Sequence, residues 1–311
     1  MMSVGDYSYI IICGTTKAAT TSLYFYLSDH PSVCAASLKE VRFFLDENYP
    51  LASAFRYTQG IEKYQEYFLH CRRDKVRMEA TPDYLYSPGT PERIREALPH
   101  AKIIFILRDP LLRLVSWYKF ARQNNDIPEQ MGFDEYVELQ RGPAGGAKIK
   151  QHLRALEQGR YSLYLQKYYD TFGSDRIYIA FSEELSSDPV SVLRGICGFS
   201  GLAGDFYEAY DFKVYNRTEK MRSPLVHGLY KKMRFSVRQR THQYPFLKSA
   251  LRRVKSFVEL FYHRLNTGSR EEVRISPSTL QFLKDYYKDE SISMGKLAGR
   301  AVPWVETLAE K

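Results

Sequence analysis

Short, continuous apolar runs divide the first two-thirds of this 311-residue chain. The runs at 7–13 (YSYIIIC) and 102–107 (KIIFIL) are rich in β-branched and aromatic residues, as is typical of strands buried on both faces of a parallel sheet. A third strand is predicted from residue 76 until Pro82 breaks it, and a fourth at 176–181. Each run is followed by a segment with helical spacing.

The helices are predicted from apolar periodicity and from capping residues. After the first strand, Leu23, Tyr26 and Leu27 stand at i, i+3 and i+4. After the KIIFIL strand, Asp109 is placed to cap a helix that begins at Pro110. Further helices are predicted at 91–98, 161–172, 189–199 and 276–298. The alternation predicts an α/β fold with a P-loop-like, doubly wound parallel sheet flanked by helices, which binds ligands at the carboxyl ends of its strands.

The last third of the chain is predicted to be helical and basic. Beyond residue 223 the pattern is all-helical, with amphipathic segments near 223–240, 245–264 and 276–298. Residues 213–264 carry fourteen Lys and Arg against two Glu, so the net charge of +9 is concentrated there. Such a stretch suits an anionic ligand, an acidic carrier protein or an anionic membrane surface, and equally a solvated helix face.

Composition narrows the class of protein. With 44% hydrophobic and 26% charged residues, the chain is neither disordered, collagen-like nor a coiled coil. No apolar run approaches the roughly 20 residues that span a bilayer, and the N-terminus lacks the pattern of a signal peptide, so we expect a cytoplasmic protein. The cysteines are scattered without CxxC spacing at Cys13, Cys34, Cys71 and Cys197. We therefore expect no disulfide framework, a reducing compartment and no metal site.

The turn after the first strand is suited to bind an anion. It runs from Gly14 to Ser22 between a buried strand and a helix, so backbone N–H groups and the helix dipole favour a phosphate there. Lys17 adds a positive charge, and Thr20, Thr21 and Ser22 add hydroxyl donors. The GxxxxGK[ST] order of a Walker A motif is absent, which disfavours magnesium-dependent ATP chemistry. A polar turn without a ligand is the alternative interpretation.

A second anion site is predicted where the KIIFIL strand ends. Arg108 follows that strand and Ser116 lies eight positions later on the next helix, so a guanidinium fork and a hydroxyl can meet one phosphate. Arg113 either joins them or faces solvent. Two phosphate sites suit a bisphosphorylated nucleotide.

Ordered motifs resemble those of sulfotransferases that use 3′-phosphoadenosine 5′-phosphosulfate (PAPS). TTKAATTSLYFYLSDHP resembles their 5′-phosphosulfate loop, and ILRDPLLRLVSWY resembles their 3′-phosphate motif. Segments similar to the carbohydrate branch, notably heparan sulfate sulfotransferases and bacterial relatives, are KEVRFF (39–44), EATPDYLY (79–86) and GRYSLYLQKYYDTFG (159–173). The resemblance covers about residues 7–200 and implies one sulfotransferase domain over 1–311, with a C-terminal cofactor-loop and helical region at 213–311.

The resemblance implies in-line transfer of a sulfuryl group from PAPS to a hydroxyl or amine, with 3′,5′-ADP as product and no metal. It implies that Glu40 is the catalytic base and that Lys17 contacts the bridging oxygen of the departing nucleotide. We expect any partial burial to raise the pKa and the basicity of Glu40. The implied cofactor-binding residues are Gly14, Thr15, Lys17, Ala18, Ala19, Thr20, Thr21, Ser22, Arg108, Ser116 and Arg217. The implied acceptor-binding residues are Lys39, Arg42, Asp83 and Tyr84.

Some positions depart from the family pattern. Ala19 stands where many members have glycine, and Ala80 stands where heparan sulfate enzymes carry a lysine. Lys39 is a candidate to replace that cation. The stretch 214–224 matches the C-terminal cofactor loop only loosely, and from it Arg217 is the candidate ligand of the 3′-phosphate.

The acceptor and the reaction class leave alternatives. The acceptor is a glycan, a glycolipid, or a small or carrier-bound natural product, with an anionic membrane surface or an acidic carrier protein as candidate partner. A nucleotide-dependent kinase shares the strand–loop–helix start, and magnesium-dependent transfer from ATP would identify it. A binding module for nucleic acid or acidic surfaces, built on residues 213–264, would show salt-sensitive duplex binding. Because no helix-turn-helix or RNP motif is present, no nucleic-acid partner is expected. His30 is expected to be structural.

Overall fold

A parallel five-stranded sheet forms the centre of the described part of the chain. The computed structural model describes residues 7–142, 151–213, 220–221, 267–268 and 272–304. The strands of the sheet are β1 (Tyr9–Gly14), β2 (Val33–Ala35), β3 (Val76–Ala80), β4 (Lys102–Leu107) and β5 (Ile177–Phe181). Their order is β2-β3-β1-β4-β5, and each neighbouring pair is parallel. All their carboxyl ends therefore lie along one edge, where ligands of such sheets bind.

Helices cover both faces of this sheet. Those in the described ranges are α1 (Thr20–Ser28), α2 (Glu62–Gln65), α3 (Thr90–Ala97), α4 (Pro110–Gln123), α5 (Phe133–Glu138), α6 (Tyr161–Phe172), α7 (Ser182–Ser187), α8 (Pro189–Ser200) and α9 (Pro277–Ala298). Asp109 caps α4 as predicted, since its Oδ1 accepts from the Leu112 N–H at 3.0 Å. The α/β fold and its parallel sheet are thereby confirmed.

Both faces of the sheet are covered, and β1 and β4 bury all their side chains except that of Lys102, which is partly exposed. Ile11 of β1 and Phe105 of β4 pack into one apolar cluster together with residues of α3 and α6. Ile10 and Ile106 pack into the opposite cluster with residues of α1 and α8. Side chains alternate between the faces of a strand, so two apolar faces require an uninterrupted apolar run. That requirement explains the sequences of β1 and β4.

The C-terminal helix α9 is joined to the core by buried polar contacts. The Tyr287 hydroxyl donates to the Leu156 carbonyl at 2.7 Å. The Glu290 carboxylate accepts from the Ser162 N–H at 2.8 Å and from its hydroxyl at 2.7 Å, at the start of α6. Among the described helices, none combines the length and the apolar character that crossing a membrane requires.

The prediction that the chain is all-helical beyond residue 223 is wrong at one place. The short strands β6 (Lys220–Met221) and β7 (Thr267–Gly268) pair in antiparallel fashion. Two-residue strands leave no periodicity to detect in the sequence. The predicted helices at 223–240 and 245–264 lie outside the described residues.

Cys34 and Cys71 form a disulfide, which contradicts the expectation of none. Their Cα atoms lie 5.8 Å apart although 37 positions separate them in sequence. The two segments meet because the chain after β2 runs beside residues 62–71, where the Ser37 N–H donates to the Tyr67 carbonyl at 2.9 Å. Cysteine spacing could not reveal this tertiary contact. The argument for a reducing compartment therefore falls, and the cytoplasmic location stays a prediction.

We expect the Cys34→Ser, Cys71→Ser double variant to be less stable than the oxidised chain. In the chain-entropy account, closing a loop with a sequence separation of 37 is worth about 3–4 kcal/mol of unfolding free energy. Denaturant unfolding with and without a dithiol measures this difference, and intact mass under non-reducing conditions reports the bridge. The dithiol should lower the midpoint of the wild type and leave the double variant unchanged. An unchanged wild-type midpoint would contradict the bridge.

Candidate active site

The loop after β1 is anchored inside the sheet. Gly14 ends β1, and a Cβ at this position would lie 3.0 Å from Leu85 Cβ, a tight contact that favours glycine. Thr15 is fully buried, its N–H donates to the Ile106 carbonyl at 2.8 Å, and its hydroxyl is hydrogen-bonded to that of Tyr86. These contacts make both residues anchors of the loop. The N–H and the hydroxyl of Thr15 are thus engaged within the fold, and its contact with the cofactor stays a prediction.

The first amides of α1 are placed to bind an anion. The Leu23 N–H makes the first bond of the helix, to the Ala19 carbonyl at 3.1 Å. The N–H groups of Thr20, Thr21 and Ser22 therefore have no carbonyl within their own helix. Ala19 turns the chain into the helix with φ 61°, a left-handed conformation that glycine adopts without strain. Free amides and the helix dipole favour an anion at this end.

Lys17 lies among other cations and above an aromatic ring. Its Nζ is 4.2 Å from the ring centroid of Phe120 on α4. Burial, followed by the positive charges of Arg108 and Arg113, lowers the pKa of Lys17 to about 8. An anion bound among these three cations relieves their mutual repulsion. The electrostatics of the loop are therefore those of an anion site.

The two predicted anion sites meet at the backbone of Lys17. Arg108 Nη1 donates to the Lys17 carbonyl at 3.2 Å. The Tyr161 hydroxyl donates to the Arg108 carbonyl at 2.7 Å and so fixes the residue at the end of β4. Ser116 is buried on α4, which starts two residues after Arg108. The loop after β1 and the end of β4 thus contribute to one place on the sheet edge.

Arg113 supports the loop, which the sequence left undecided. The residue is fully buried, and its Nε donates to the Thr16 carbonyl at 3.0 Å while Nη2 donates to the Thr16 hydroxyl at 3.2 Å. Its Nη1 donates to the Ala155 carbonyl at 3.0 Å. A signal was present, because Arg113 stands four and seven positions before Trp117 and Phe120 and shares their helix face. Arg113 is therefore a structural cation, not a solvated one.

Glu40 lies between two cations in the segment that follows β2. Lys39 Nζ is 2.9 Å from its Oε1, and Arg42 Nη2 is 3.0 Å from its Oε2. Burial raises the pKa of Glu40, but the charges and hydrogen bonds of Lys39 and Arg42 outweigh burial and hold the pKa below its ordinary value. The expected increase in pKa is therefore wrong. Glu40 is an oriented, ionised carboxylate of reduced basicity.

Asp83 and Tyr84 lie in a short 3-10 helix, Pro82–Tyr86, and both are buried. The Tyr49 hydroxyl donates to Asp83 Oδ1 at 3.2 Å. The Tyr84 hydroxyl donates to Glu79 Oε1 at 3.0 Å. This geometry does not support the direct acceptor contacts predicted for Asp83 and Tyr84. Through these buried hydrogen bonds, both side chains instead stabilise the structure next to the carboxyl end of β3.

The remaining predicted residues are placed as follows. His30 is structural, as expected: its Nε2 lies 2.9 Å from the Ala203 carbonyl, and its Nδ1 accepts from the Ser32 N–H at 3.1 Å. Ala80 is fully buried at the end of β3. Arg217 lies outside the described residues, so its contact with the 3′-phosphate stays a prediction.

One group of candidate metal ligands occurs in the described ranges. The ligand atoms of Cys34, His70 and Cys71 all lie within 4.8 Å of one another. The two sulfurs are bonded to each other, so neither is a thiolate ligand. The absence of a metal from the reaction stays a prediction.

Comparison with known proteins identifies the family. Residues 8–245 match the family model described as a sulfotransferase domain. The chain belongs to the sulfotransferase family. A mouse bifunctional heparan sulfate N-deacetylase/N-sulfotransferase 4 is 25% identical over 299 residues, covering 93% of this chain and 30% of the relative. A human bifunctional heparan sulfate N-deacetylase/N-sulfotransferase 3 is 29% identical over 201 residues, covering 62% of this chain and 22% of the relative.

This sulfotransferase thus spans less than a third of the length of those relatives. A solved sulfotransferase from Alicyclobacillus acidocaldarius has the same fold, with a TM-score of 0.67 at 20% identity over 97% of this chain and 98% of that chain. Family membership confirms the resemblance drawn from the motifs and assigns the chain to the enzymes that transfer sulfuryl groups.

We expect Ala19→Gly to stabilise the fold by up to about 1.5 kcal/mol. Relief of left-handed strain, about 1–2 kcal/mol, exceeds the greater unfolded-state entropy of glycine, roughly 0.5–1 kcal/mol. Urea unfolding measures the change. Ala18→Gly is the matched control, because Ala18 is fully buried and does not have a positive φ, so this variant should lose stability. Equal losses in both variants would contradict the strain at Ala19.

Binding of an anionic nucleotide such as 3′,5′-ADP is expected to take up protons above pH 8. Free Lys17 is mostly deprotonated above its pKa of about 8, and bound phosphate raises that pKa, so binding captures a proton. Calorimetry in buffers of different ionisation enthalpy measures the uptake. Lys17→Arg keeps the charge without titrating and should abolish the uptake. Equal uptake in that variant would assign the proton to another group.

Proposed function

We propose that this sulfotransferase transfers the sulfuryl group of PAPS to a hydroxyl or amine of its acceptor by in-line displacement and releases 3′,5′-ADP. The contact of Arg108 with the Lys17 carbonyl carries the proposal, because it joins two cationic sites that follow neighbouring strands. PAPS has a phosphosulfate at one end of its ribose and a separate phosphate at the other. Two adjacent anion sites match that donor better than a single one.

Lys17 is proposed to stabilise the departing nucleotide. Negative charge gathers on the bridging oxygen as the sulfuryl group leaves, so an ammonium there acts more on the transition state than on binding. Its pKa, lowered to about 8, rises when phosphates bind, which keeps the group charged during the reaction. The ring of Phe120, 4.2 Å from Nζ, limits where the ammonium can move.

Glu40 is proposed as the general base. The acceptor proton becomes acidic as the new S–O or S–N bond forms, so a carboxylate of low pKa can accept it late in the step. Lys39 and Arg42 each bind one carboxylate oxygen and hold the group in one orientation. Orientation is thus gained at the expense of basicity.

The proposed acceptor is a glycan. The relatives in mouse and human are named as heparan sulfate N-sulfotransferases, and the basic stretch 213–264 carries the charge that attracts an acidic polysaccharide. The same stretch suits an acidic carrier protein or an anionic membrane surface. A glycolipid and a carrier-bound or small natural product are therefore the other acceptors to be tested.

The direct test is incubation of the full chain with labelled PAPS and a panel of acceptors. The panel contains a heparan-type glycan with free amines, its N-acetylated form, glycolipid micelles and hydroxylated small molecules, each scored for the mass of one sulfuryl group. Labelled product from any acceptor supports the function, and the free-amine glycan separates N- from O-transfer. Phosphate transfer from magnesium ATP, without transfer from PAPS, would overturn it in favour of the kinase alternative.

We expect Glu40→Gln to bind 3′,5′-ADP as the wild type does and to lose transfer by about 10²- to 10⁴-fold, the usual value of a general base. The amide keeps the shape of the side chain but cannot accept the proton. Initial rates and nucleotide titration measure the two effects. Glu47→Gln, an exposed position seven residues further on, is the control that should retain activity. Wild-type rates in Glu40→Gln would place the base elsewhere.

A further inference from the structure

Glu79 is a buried carboxylate that the proposed reaction does not use. It lies in β3 next to the strand's last residue and is fully buried. Its Oε2 accepts from the Thr81 hydroxyl at 2.9 Å, and its Oε1 accepts from the hydroxyls of Tyr84 at 3.0 Å and Tyr64 at 3.1 Å. Three hydroxyl donors around one carboxylate form a polar network that is costly to bury unless every member has its partner.

Two of these hydroxyls pass the interaction on to the backbone beside Glu40. Thr81 Oγ1 accepts from the Arg42 N–H at 3.2 Å, and the Tyr84 hydroxyl accepts from the Phe44 N–H at 3.2 Å. Each hydroxyl has one proton, which it gives to Glu79, so its lone pairs are left to face the amide. The carboxylate thereby orients two hydroxyls, of which that of Thr81 binds the Arg42 amide and that of Tyr84 binds the Phe44 amide.

The segment held in this way needs external support. Glu40 and Arg42 have φ values of 61° and 59°, a left-handed conformation that residues with side chains rarely adopt. Residues 40–44 belong to no helix or strand, and although the Phe43 carbonyl accepts from the Tyr57 N–H at 3.0 Å and the Val41 carbonyl from the Ser53 hydroxyl at 2.8 Å, no ladder of backbone bonds maintains their path. The amides of Arg42 and Phe44 are therefore the natural points at which to hold it.

We propose that Glu79 is a positioning residue for the catalytic base: through Thr81 and Tyr84 it fixes the backbone of residues 42–44 and so sets the orientation of the Glu40 carboxylate. The inference rests on the proposed role of Glu40. Tyr64 also donates to Glu79 but holds no amide of the 40–44 segment. Removal of the Tyr64 hydroxyl therefore serves as a control, because it takes a donor from Glu79 without removing a hydrogen bond to the segment.

The arrangement depends on the charge of Glu79. Burial raises its pKa to about 7, although the hydroxyls of Thr81, Tyr84 and Tyr64 oppose that rise. The titratable groups that face it are Tyr64, Tyr67, Tyr84 and Cys13, and burial raises the pKa of each, so all are neutral at that pH. Protonation turns one carboxylate oxygen into a donor and forces a hydroxyl to rotate away. The relays therefore weaken as pH falls through about 7.

Stability should respond to pH in the opposite direction. A carboxyl group whose folded pKa lies above its unfolded value binds more protons in the native state, so acidification through that range stabilises the fold. The same protonation loosens residues 42–44. If acidification raises the unfolding free energy and at the same time speeds hydrogen exchange at residues 42–44, Glu79 has a positioning role and not a merely structural one.

Hydrogen exchange of the 38–45 peptide tests the relays without any substrate. We expect Thr81→Val and Tyr84→Phe to speed exchange at the amides of Arg42 and Phe44 respectively, about five- to tenfold for one lost hydrogen bond. Thr81→Ser keeps the hydroxyl and should restore protection. Tyr64→Phe is the matched control and should leave both amides protected. Protection unchanged in Thr81→Val and Tyr84→Phe would overturn the proposal.

Kinetics with a reactive acceptor provide the second arm. Glu79→Gln should lower kcat at unchanged 3′,5′-ADP affinity and remove the acid limb of the pH profile near pH 7, where Glu79 titrates. Full activity with the wild-type pH profile in Glu79→Gln would overturn the role. A wild type that transfers to no acceptor would sink the proposed function, whereas the exchange result would still decide whether Glu79 holds the segment.

Discussion

The geometry of the candidate active site at the carboxyl edge of the sheet depends on the hydrogen bonds that hold Thr15 and Thr16 in place. The Thr15 N–H extends the bonding between β1 and β4, while the fully buried Arg113 binds both the carbonyl and the hydroxyl of Thr16. A buried guanidinium left without acceptors is costly, so Arg113 and the loop stabilise each other's position. With the start of the loop fixed, the amides of α1 and the Lys17 ammonium are pre-organised at the place where we propose that the phosphosulfate binds.

The parts of the fold that follow local rules were predictable from the sequence. β1 and β4 must fill two apolar faces, and that demand leaves an uninterrupted apolar run. Asp109 followed by Pro110 marks the start of α4 because a cap and a fixed φ both act within one turn. Arg108 directly follows β4 and Lys17 lies three residues after the end of β1, so the parallel pairing of these two strands in the structure brings their loops together.

The parts that depend on distant partners could not be predicted. β2 has three residues, too few for a periodic signal, and the path of the chain after it decides that Cys34 meets Cys71. The lowered pKa of Glu40 could not be predicted, because the sequence does not reveal that Lys39 and Arg42 each reach one oxygen of its carboxylate. The motif predicts that Tyr84 contacts the acceptor, but its hydroxyl donates to Glu79 and accepts from the Phe44 N–H.

The bond between Cys34 and Cys71 has a practical consequence for handling the molecule. Two chemical forms of the same chain exist wherever redox conditions differ, one cross-linked and one with a pair of thiols. Preparations from oxidising and reducing hosts are then not interchangeable samples. Rates or affinities measured on such preparations compare like with like only when their expression host and their exposure to thiols during purification have been matched.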